Sequence, residues 1–276
     1  MANTHSGKQE HQVVLITGAS SGIGQACATH LQRRGLGVYG TSRHPQPIPG
    51  SFEMIQMDVN SDESVQQGIA LVYERDGRLD VVINNAGYGL AGGIEDTSTE
   101  EAKAQFEANF FGVLRVCRAA LPIMRAQRSG TIINISSVAG VIGVPFQGLY
   151  SASKHAVEAM SEALSVEVHP FGIRVVLVEP GDLHTGFTAA RLRAAQSLAN
   201  AAYQARFGAA MQVIEHDETH GPSPEQVARL VERIIRTRSP RLRYVVGPAY
   251  EALAVVAKTV LPPRLWEWIL GKYYHV

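Results

Sequence analysis

The sequence predicts an α/β fold: a doubly wound, parallel sheet of seven strands in a single domain. Short apolar runs rich in branched residues alternate with helical stretches along the chain. A glycine-rich turn stands directly between the first strand and the first helix, and 276 residues suffice for one domain with an ample core. The predicted strands are Val13–Ile16, Gly37–Thr41, Phe52–Met57, Val81–Asn84, Thr131–Ile135, Arg174–Val178 and Tyr244–Val246.

The glycine-rich turn is the first candidate binding site. It reads Thr17-Gly-Ala-Ser-Ser-Gly-Ile-Gly24 and is followed by a helical stretch through Arg34. Glycines at these positions permit a tight turn and let a helix N-terminus approach a pyrophosphate. A plain tight loop is the alternative, but the position between a strand and a helix favours a dinucleotide site. The spacing is Gly-x-x-x-Gly-x-Gly rather than Gly-x-Gly-x-x-Gly.

A possible catalytic group lies near the middle of the chain. Tyr150 and Lys154 are four residues apart, so on a helix they share one face, and Ser137 precedes the tyrosine. A neighbouring cation favours the phenolate and moves a tyrosine toward acid–base work at neutral pH. Such a pair also arises by chance as a surface helix contact, so its interpretation depends on the other motifs.

Together these motifs resemble a known family. The glycine-rich turn, Asn84-Asn85-Ala86-Gly87, Asn109, Ser137, Tyr150-x-x-x-Lys154 and Pro180-Gly181 occur in the order of the short-chain dehydrogenases/reductases. The resemblance runs from about Val13 to Thr185 and implies a Rossmann fold. Beyond Thr185 it is looser, and the length and composition there are most similar to the steroid and retinol dehydrogenase branch.

The resemblance implies an oxidoreductase that interconverts an alcohol and a ketone or aldehyde. Tyr150 would give or take the proton on the substrate oxygen. Lys154 would lower the pKa of the tyrosine and bind the nicotinamide ribose, and Ser137 would orient the carbonyl. Asn109 would bend its helix and hold a water molecule beside Lys154.

The cofactor is expected to be NADP(H). Members of the family that prefer NAD usually carry an acidic residue where this chain has Ser42, and Arg43 follows it. A guanidinium matches phosphate oxygens in geometry and charge, although a solvated loop arginine is the alternative. The resemblance implies cofactor contacts from Gly18, Ser20, Ser21, Gly22, Ile23, Gly24, Ser42, Arg43, Asp58, Val59, Asn85, Ala86, Gly87, Tyr150, Lys154, Pro180, Gly181, Leu183 and Thr185.

The expected substrate is a small hydrophobic carbonyl or alcohol, such as a steroid, a retinoid or an aromatic ketone. The residues around the substrate would be largely apolar, although several of these candidate residues could equally belong to the protein core. A β-ketoacyl-thioester reductase and a non-catalytic NADP(H) sensor on the same fold are the alternatives. No pair of histidines has metal-ligand spacing, so no metal is assigned. The candidate substrate residues are Val138, Val144, Phe146, Gln147, His184 and Phe187.

Charge, cysteines and the N-terminal residues indicate which partners and which cellular compartment to expect. Twenty-five basic residues balance twenty-five acidic ones, which gives no reason to expect nucleic acid as a partner. Cys27 and Cys117 lie in apolar helical stretches and are expected to be buried thiols. The first dozen residues lack a signal-peptide core, so the cytoplasm is the expected compartment. The resemblance implies that the helix facing Ala119 and the helix carrying Tyr150 are dimer elements, so a homodimer or homotetramer is the expected assembly.

The chain is expected to divide into three parts. Residues 1–12 would be flexible, residues 13–247 would form the catalytic domain with a substrate lid at about 186–222, and residues 248–276 would form an extension packed on it. Trp266 and Trp268 in the extension are separated by one residue, so a single helix face cannot bury both. Packing on the domain, a dimer contact and a peripheral membrane contact are the three alternatives.

Overall fold

The computed structural model describes residues 12–47 and 51–276. The predicted flexible segment, apart from Gln12, lies outside the described residues. Within these described ranges seven strands form one parallel sheet, and all seven predicted strands belong to it. They are β1 (Val13–Ile16), β2 (Gly37–Ser42), β3 (Glu53–Gln56), β4 (Val81–Asn84), β6 (Gly130–Ile135), β7 (Ile173–Pro180) and β9 (Arg243–Val246). Their order is β3-β2-β1-β4-β6-β7-β9. A second sheet pairs β5 (Leu90–Ala91) with β8 (Leu192–Arg193).

Helices cover both faces of the large sheet because alternate strand residues point to opposite sides. In β1, Val14 and Ile16 enter one core layer with α1 (Gly22–Arg33) and α8 (Glu225–Arg236). Val13 and Leu15 enter the other core layer. That layer is covered by α2 (Asp62–Asp76), α4 (Gly112–Gln127) and α5 (Gly148–Val168). The continuous apolar runs follow from burial on both faces.

The two cysteines lie one in each layer. Cys27 belongs to α1 and Cys117 to α4, and both thiols are free and buried against the sheet. The prediction of buried thiols is therefore confirmed. Burial raises the pKa of each thiol to about 12.

The sheet order reverses beside β1, and this reversal positions the site. The chain runs from β1 outward to β2 and β3, then returns to β4 on the other side of β1. Crossovers on either side of such a point leave a crevice at the carboxyl ends of the strands. The loops after β1, β4, β6 and β7 therefore converge at one edge of the sheet.

The segment 186–222 lies at this same edge. It contains α6 (Phe187–Ala190), β8 and α7 (Gln204–His220), and the pairing of β5 with β8 ties it to the loop after β4. Its motion as a lid stays a prediction. After β9 the chain forms α9 (Ala249–Val260) and α10 (Pro263–Tyr273). None of the helices in the described ranges has both the length and the apolar character that a membrane span requires.

Candidate active site

A cleft of about 810 Å³ opens at the carboxyl edge of the sheet. It brings most of the predicted site residues together, although they come from segments far apart in sequence. The predicted residues that line it are Gly18, Ser20, Ser21, Gly22, Ile23, Ser42, Arg43, Asp58, Val59, Asn85, Ala86, Gly87, Ser137, Val138, Val144, Gln147, Tyr150, Lys154, Pro180, Gly181, Leu183, Thr185 and Phe187.

Polar contacts with the loop after β4 hold the glycine-rich turn. The Thr17 hydroxyl oxygen accepts hydrogen bonds from the backbone nitrogens of Asn85 and Ala86, each at 2.9 Å. The Asn85 amide nitrogen donates to the carbonyls of Thr17 and Gly18. A Cβ added at Gly18, where φ is +66°, would lie 2.9 Å from the Ala86 Cα. A Cβ at Gly24 would lie 2.4 Å from the Gly18 carbonyl oxygen, so Gly24 supports the turn from behind the cleft.

The N-terminus of α1 faces the cleft with donors suited to an anion. Ser21 occupies the N-cap position, but its side chain makes no capping hydrogen bond, and Ser20 and Ser21 are exposed. Backbone N–H groups of the first turn have no partner within a helix, and the helix dipole favours negative charge at this end. The glycine-rich turn, the two free hydroxyls and the helix end thus fit the pyrophosphate of a dinucleotide.

The ends of β2 and β3 border the same cleft. Arg43 is exposed, and no carboxylate of the described residues pairs with its guanidinium. The Asp58 carboxylate accepts a hydrogen bond from the Asn60 backbone nitrogen at 3.0 Å, so it stabilises the turn before α2 while lining the cleft. Val59 packs against Gly112, where an added Cβ would come within 3.0 Å of its side chain.

The loop after β7 forms the wall opposite the glycine-rich turn. Pro180 ends the strand, and the Gly181 nitrogen donates to the Val246 carbonyl at 2.9 Å. Leu183 is buried, whereas the Thr185 hydroxyl oxygen accepts a hydrogen bond from the Phe187 nitrogen at 3.2 Å. This loop therefore presents backbone and hydroxyl groups to the cleft.

Ser137, Tyr150 and Lys154 meet at the floor of the cleft. Ser137 follows β6, and its hydroxyl donates a hydrogen bond to the Pro180 carbonyl at 3.3 Å and accepts one from the Ala139 nitrogen at 3.1 Å. Lys154 lies one turn further along α5, with its Nζ 5.9 Å from the Tyr150 ring centroid. That Nζ donates a hydrogen bond to the Ile135 carbonyl at 2.9 Å. The predicted i, i+4 face therefore exists, and both side chains are buried.

Burial dominates the acid–base properties of this pair. It raises the pKa of Tyr150 to about 12, and the neighbouring Ser137 hydroxyl opposes the rise. Burial likewise lowers the pKa of Lys154 to about 8, and the Glu158 carboxylate one turn later opposes that fall. The Lys154 ammonium lies over the Tyr150 ring and donates to the Ile135 carbonyl. Its lowering of the Tyr150 pKa stays a prediction.

Asn109 lies within a π-helical turn, Glu107–Phe111, that interrupts the helix before α4. Its side-chain oxygen accepts from the Tyr88 nitrogen at 3.0 Å, and its amide nitrogen donates to the Tyr88 carbonyl and to the Ser153 hydroxyl. The bend predicted at Asn109 falls on this π turn. The side chain is fully buried and does not line the cleft, so it fixes the loop after β4 against α5.

Four of the six predicted substrate residues line the cleft, and two do not. Val138, Val144, Gln147 and Phe187 line it, and the Phe187 ring lies 5.8 Å from the Tyr150 ring. Phe146 has a left-handed backbone, with φ of +58°, and packs against Phe207 at 5.5 Å in a small core cluster. His184 is exposed, because the hydrogen bond from its nitrogen to the Pro222 carbonyl turns the loop outward.

Further acidic, aromatic and aliphatic residues line the cleft at its substrate end, and none of them was predicted from the sequence. The Asp182 nitrogen donates to both carboxylate oxygens of Glu251, at 3.0 and 3.2 Å. Asp182 follows Pro180-Gly181 and could have been found from that motif. Glu251 belongs to α9, in a part of the chain that carries no motif. The missed residues that line the cleft include Tyr88, Asp182, Leu192, Ile214, Asp217, Glu218, Glu251 and Tyr274.

Known proteins share both the sequence and the fold. A family model described as short chain dehydrogenase matches residues 12–196. A 3-ketodihydrosphingosine reductase of Bacteroides thetaiotaomicron is 44% identical over 265 residues, covering 96% of this chain and 98% of that protein. Human 17-beta-hydroxysteroid dehydrogenase type 1 is 34% identical, covering 84% and 76%. A solved short-chain dehydrogenase from Streptomyces avermitilis superposes with a TM-score of 0.82 at 34% identity, covering 90% and 92%.

The matched region contains the glycine-rich turn, the loop after β4 and the Ser137–Tyr150–Lys154 group. The family binds a nicotinamide cofactor and acts on CH–OH and C=O groups. This chain therefore belongs to the short-chain dehydrogenase/reductase family and is an oxidoreductase with a Rossmann-type fold.

Proposed function

We propose that this protein is an NADP(H)-dependent oxidoreductase that interconverts an alcohol and a ketone on a hydrophobic, long-chain substrate. The observation that carries the proposal is that Ser137, Tyr150 and Lys154 line one cleft, with the Lys154 Nζ 5.9 Å from the Tyr150 ring centroid. The hydroxyls of Ser137 and Tyr150 can then both bind a single carbonyl oxygen in this cleft, which is the arrangement that carbonyl reduction needs.

Each member of the group has a distinct task in this proposal. A bound nicotinamide cofactor supplies the hydride to the carbonyl carbon or accepts it from the alcohol. The Tyr150 hydroxyl gives its proton to the carbonyl oxygen, and in the reverse direction it takes the proton back. The Ser137 hydroxyl donates a hydrogen bond to the same oxygen and stabilises the charge that develops there. The Lys154 ammonium stabilises the phenolate that the tyrosine becomes.

The preference for NADP(H) is supported by the ends of β2 and β3. Ser42 replaces the carboxylate that would repel a 2′-phosphate, and Arg43 is exposed beside it on the cleft. Because no described carboxylate pairs with the Arg43 guanidinium, it is free to make a charge-assisted hydrogen bond to phosphate. Ser20 or Ser21 would add a hydroxyl donor.

The proposed substrate is an aliphatic ketone of the 3-ketodihydrosphingosine type. The support is the relative with 44% identity along almost the whole of both chains, together with the apolar side of the cleft. A steroid or retinoid remains the second choice within the same hydrophobic class, since relatives of both kinds are 34% identical. The apolar lining includes Val138, Val144, Phe187, Leu192 and Ile214.

The experiment is a substrate panel with the purified protein. Absorbance of the reduced nicotinamide is followed with NADPH and with NADH, against 3-ketodihydrosphingosine, a steroid ketone, a retinal and a β-ketoacyl thioester. Turnover of the first compound with NADPH is the expected result. Preference for the thioester would make the protein a β-ketoacyl-thioester reductase. NADPH binding without turnover of any carbonyl would favour the non-catalytic sensor.

Tyr150→Phe is the control for mechanism. The phenyl ring keeps the shape of the site and lacks the proton, so turnover should fall by about 10²–10⁴-fold while NADPH still binds. Turnover of this variant at the wild-type rate would contradict the role given to Tyr150.

We also propose a homodimer or homotetramer in a reducing cytoplasm. Exposed apolar residues near the ends of the expected dimer helices, Phe111 and Val166, support the assembly, and the free thiols of Cys27 and Cys117 suit the compartment. Light scattering and sedimentation of the purified protein test the assembly, and a monomer in both would contradict it.

A further inference from the structure

Helix α9 carries its charges on the side that faces the protein. Its two charged side chains are Glu251 and Lys258. The Glu251 carboxylate is buried and accepts hydrogen bonds from the Asp182 nitrogen. The Lys258 ammonium donates to the Val141 carbonyl. Both charges are therefore used to fasten α9 to the loops around the cleft.

The outward side of α9 is apolar. Leu253, Val256 and Val260 follow one another at spacings of three and four, so they form one stripe on the helix. Their exposed fractions are 68%, 57% and 72%. A surface helix of a globular protein normally has the opposite arrangement, with its polar side toward water. A contiguous exposed apolar stripe marks an interaction surface.

Helix α10 packs beside α9 and also exposes apolar side chains, including an indole. Trp268 is 61% exposed and Leu265 is exposed beside it, whereas Trp266 on the opposite side of the helix is half-buried. The two indoles thus diverge, as their spacing predicts. Arg264 and Lys272 flank Trp268 on the exposed side.

The exposed charges of α10 are mixed, with cations nearer the apolar side. The Glu267 carboxylate is exposed, but its position lies roughly 100° around the helix from Trp268. Arg264 and Lys272 stand four residues before and after Trp268, so they lie on its side of the helix. An apolar stripe with an aromatic ring and flanking cations matches the boundary between lipid tails and anionic headgroups.

We propose that the outward face of α9 and α10, formed by Leu253, Val256, Val260, Leu265 and Trp268, docks on the surface of an anionic lipid membrane. The apolar stripe enters the headgroup boundary, and Arg264 and Lys272 meet lipid phosphates. A second copy of the chain could cover the stripe, but it would bring the same two cations to the interface rather than their complement.

The same helices border the cleft. Glu251 of α9 and Tyr274, which follows α10, both line it. Docking through the outward face therefore sets the substrate end of the cleft beside the bilayer, where a long-chain ketone resides. This consequence rests on the proposed substrate, whereas docking itself does not.

Vesicle cosedimentation with the full chain tests the proposal. The vesicles are phosphatidylcholine alone and phosphatidylcholine mixed with phosphatidylglycerol. The wild type should bind the mixed vesicles more strongly than the neutral ones. The triple variant Leu253→Gln, Val256→Gln, Val260→Gln should bind at least about tenfold more weakly, because binding scales with buried apolar area. Ile94→Gln, at a 65%-exposed apolar position after β5 that does not line the cleft, is the matched control and should bind like the wild type.

A second variant tests the charges. Arg264→Gln with Lys272→Gln should weaken binding to the mixed vesicles and leave binding to the neutral vesicles unchanged. Melting temperature and NADPH binding report whether each variant is folded. Since vesicle binding needs no substrate, failure of the proposed reductase activity would leave this result standing, and the reverse also holds.

Three outcomes would overturn the proposal. The wild type could fail to bind either vesicle, or the triple variant could bind as well as the wild type. Alternatively, the triple variant could lower the mass measured by light scattering while the wild type ignores vesicles, which would make the face a contact between two copies.

Discussion

The backbone nitrogen of Asp182 donates to both carboxylate oxygens of Glu251, and this contact joins the loop after β7 to helix α9. Burial raises the pKa of the Asp182 carboxyl to about 9, and the neighbouring Glu251 charge adds to the rise. Burial also raises the pKa of Glu251. Repulsion between the two carboxyls is therefore weakest while Asp182 is protonated.

Asp182→Asn should stabilise the protein at alkaline pH. A carboxyl whose pKa is raised in the folded state stabilises fully below its ordinary pKa of 3.8, and this contribution is lost as the pH rises toward about 9. Asparagine keeps a donor for Glu251 and never ionises. The melting temperatures of variant and wild type should agree near pH 4 and separate as the pH rises.

The expected difference in melting temperature can be estimated from the size of the domain, and an exposed carboxylate provides the control. A gain of about 1 kcal/mol raises the melting temperature of a domain of this size by roughly 2–4 °C. Glu267→Gln, which removes one exposed carboxylate, should leave the profile unchanged. If the melting temperatures of Asp182→Asn and wild type differ by the same amount at every pH, ionisation of Asp182 does not weaken this contact.

The contact between Asp182 and Glu251 also shows where sequence reasoning stops. The strands were predictable because burial on both faces gives local apolar runs, and Ser137 follows a strand end directly. Glu251 reaches the cleft only because α9 folds back over 69 residues of chain. Phe146 was misplaced for a related reason, since its positive φ turns the ring toward Phe207 and away from the cleft.

Arg43→Asp should reverse the expected cofactor preference. One charge-assisted contact to phosphate is worth about 1.5–3 kcal/mol, so kcat/KM with NADPH should fall roughly tenfold to hundredfold. A carboxylate at this position also repels the 2′-phosphate and leaves NADH unaffected. Steady-state kinetics with both cofactors measures the ratio. The control is Arg238→Asp, an equal charge change at an exposed position that does not line the cleft. If the ratio of kcat/KM with NADPH to kcat/KM with NADH is the same in the two variants, Arg43 does not recognise the cofactor.

Gly18→Ala should damage the cofactor site more than the backbone angle alone explains. Gly18 and Gly35 both have positive φ, at +66° and +84°, so alanine costs about 1–2 kcal/mol at either position. At Gly18 the new Cβ would also lie 2.9 Å from the Ala86 Cα, whereas at Gly35 it meets nothing within 4 Å. NADPH affinity should therefore fall in Gly18→Ala and stay unchanged in Gly35→Ala. Fluorescence titration with NADPH measures both variants, and equal affinities would mean that the loop after β4 yields without moving the site.

The Lys154 ammonium should titrate near pH 8 in the cofactor-free protein, and the Glu158 carboxylate should influence the midpoint of this titration. Burial lowers the pKa of Lys154 to about 8, and the Glu158 carboxylate opposes this fall. Glu158→Gln removes the opposing charge, so the Lys154 midpoint should move to lower pH. Isotope-labelled lysine followed by NMR measures the midpoint, with the signal assigned by its loss in Lys154→Arg.

The control for this titration is Glu162→Gln on the same helix. Glu158 and Glu162 both pair with Arg243, so either variant loosens that arginine, but only Glu158 acts on the Lys154 pKa. The midpoint should therefore shift in Glu158→Gln and hold in Glu162→Gln. Because Lys154 must be charged to stabilise the Tyr150 phenolate, carbonyl reduction by Glu158→Gln should begin to decline at a lower pH than in the wild type. A common midpoint in both variants would show that burial alone sets the charge of Lys154, and that Glu158 serves only to hold α5 to β9 through Arg243.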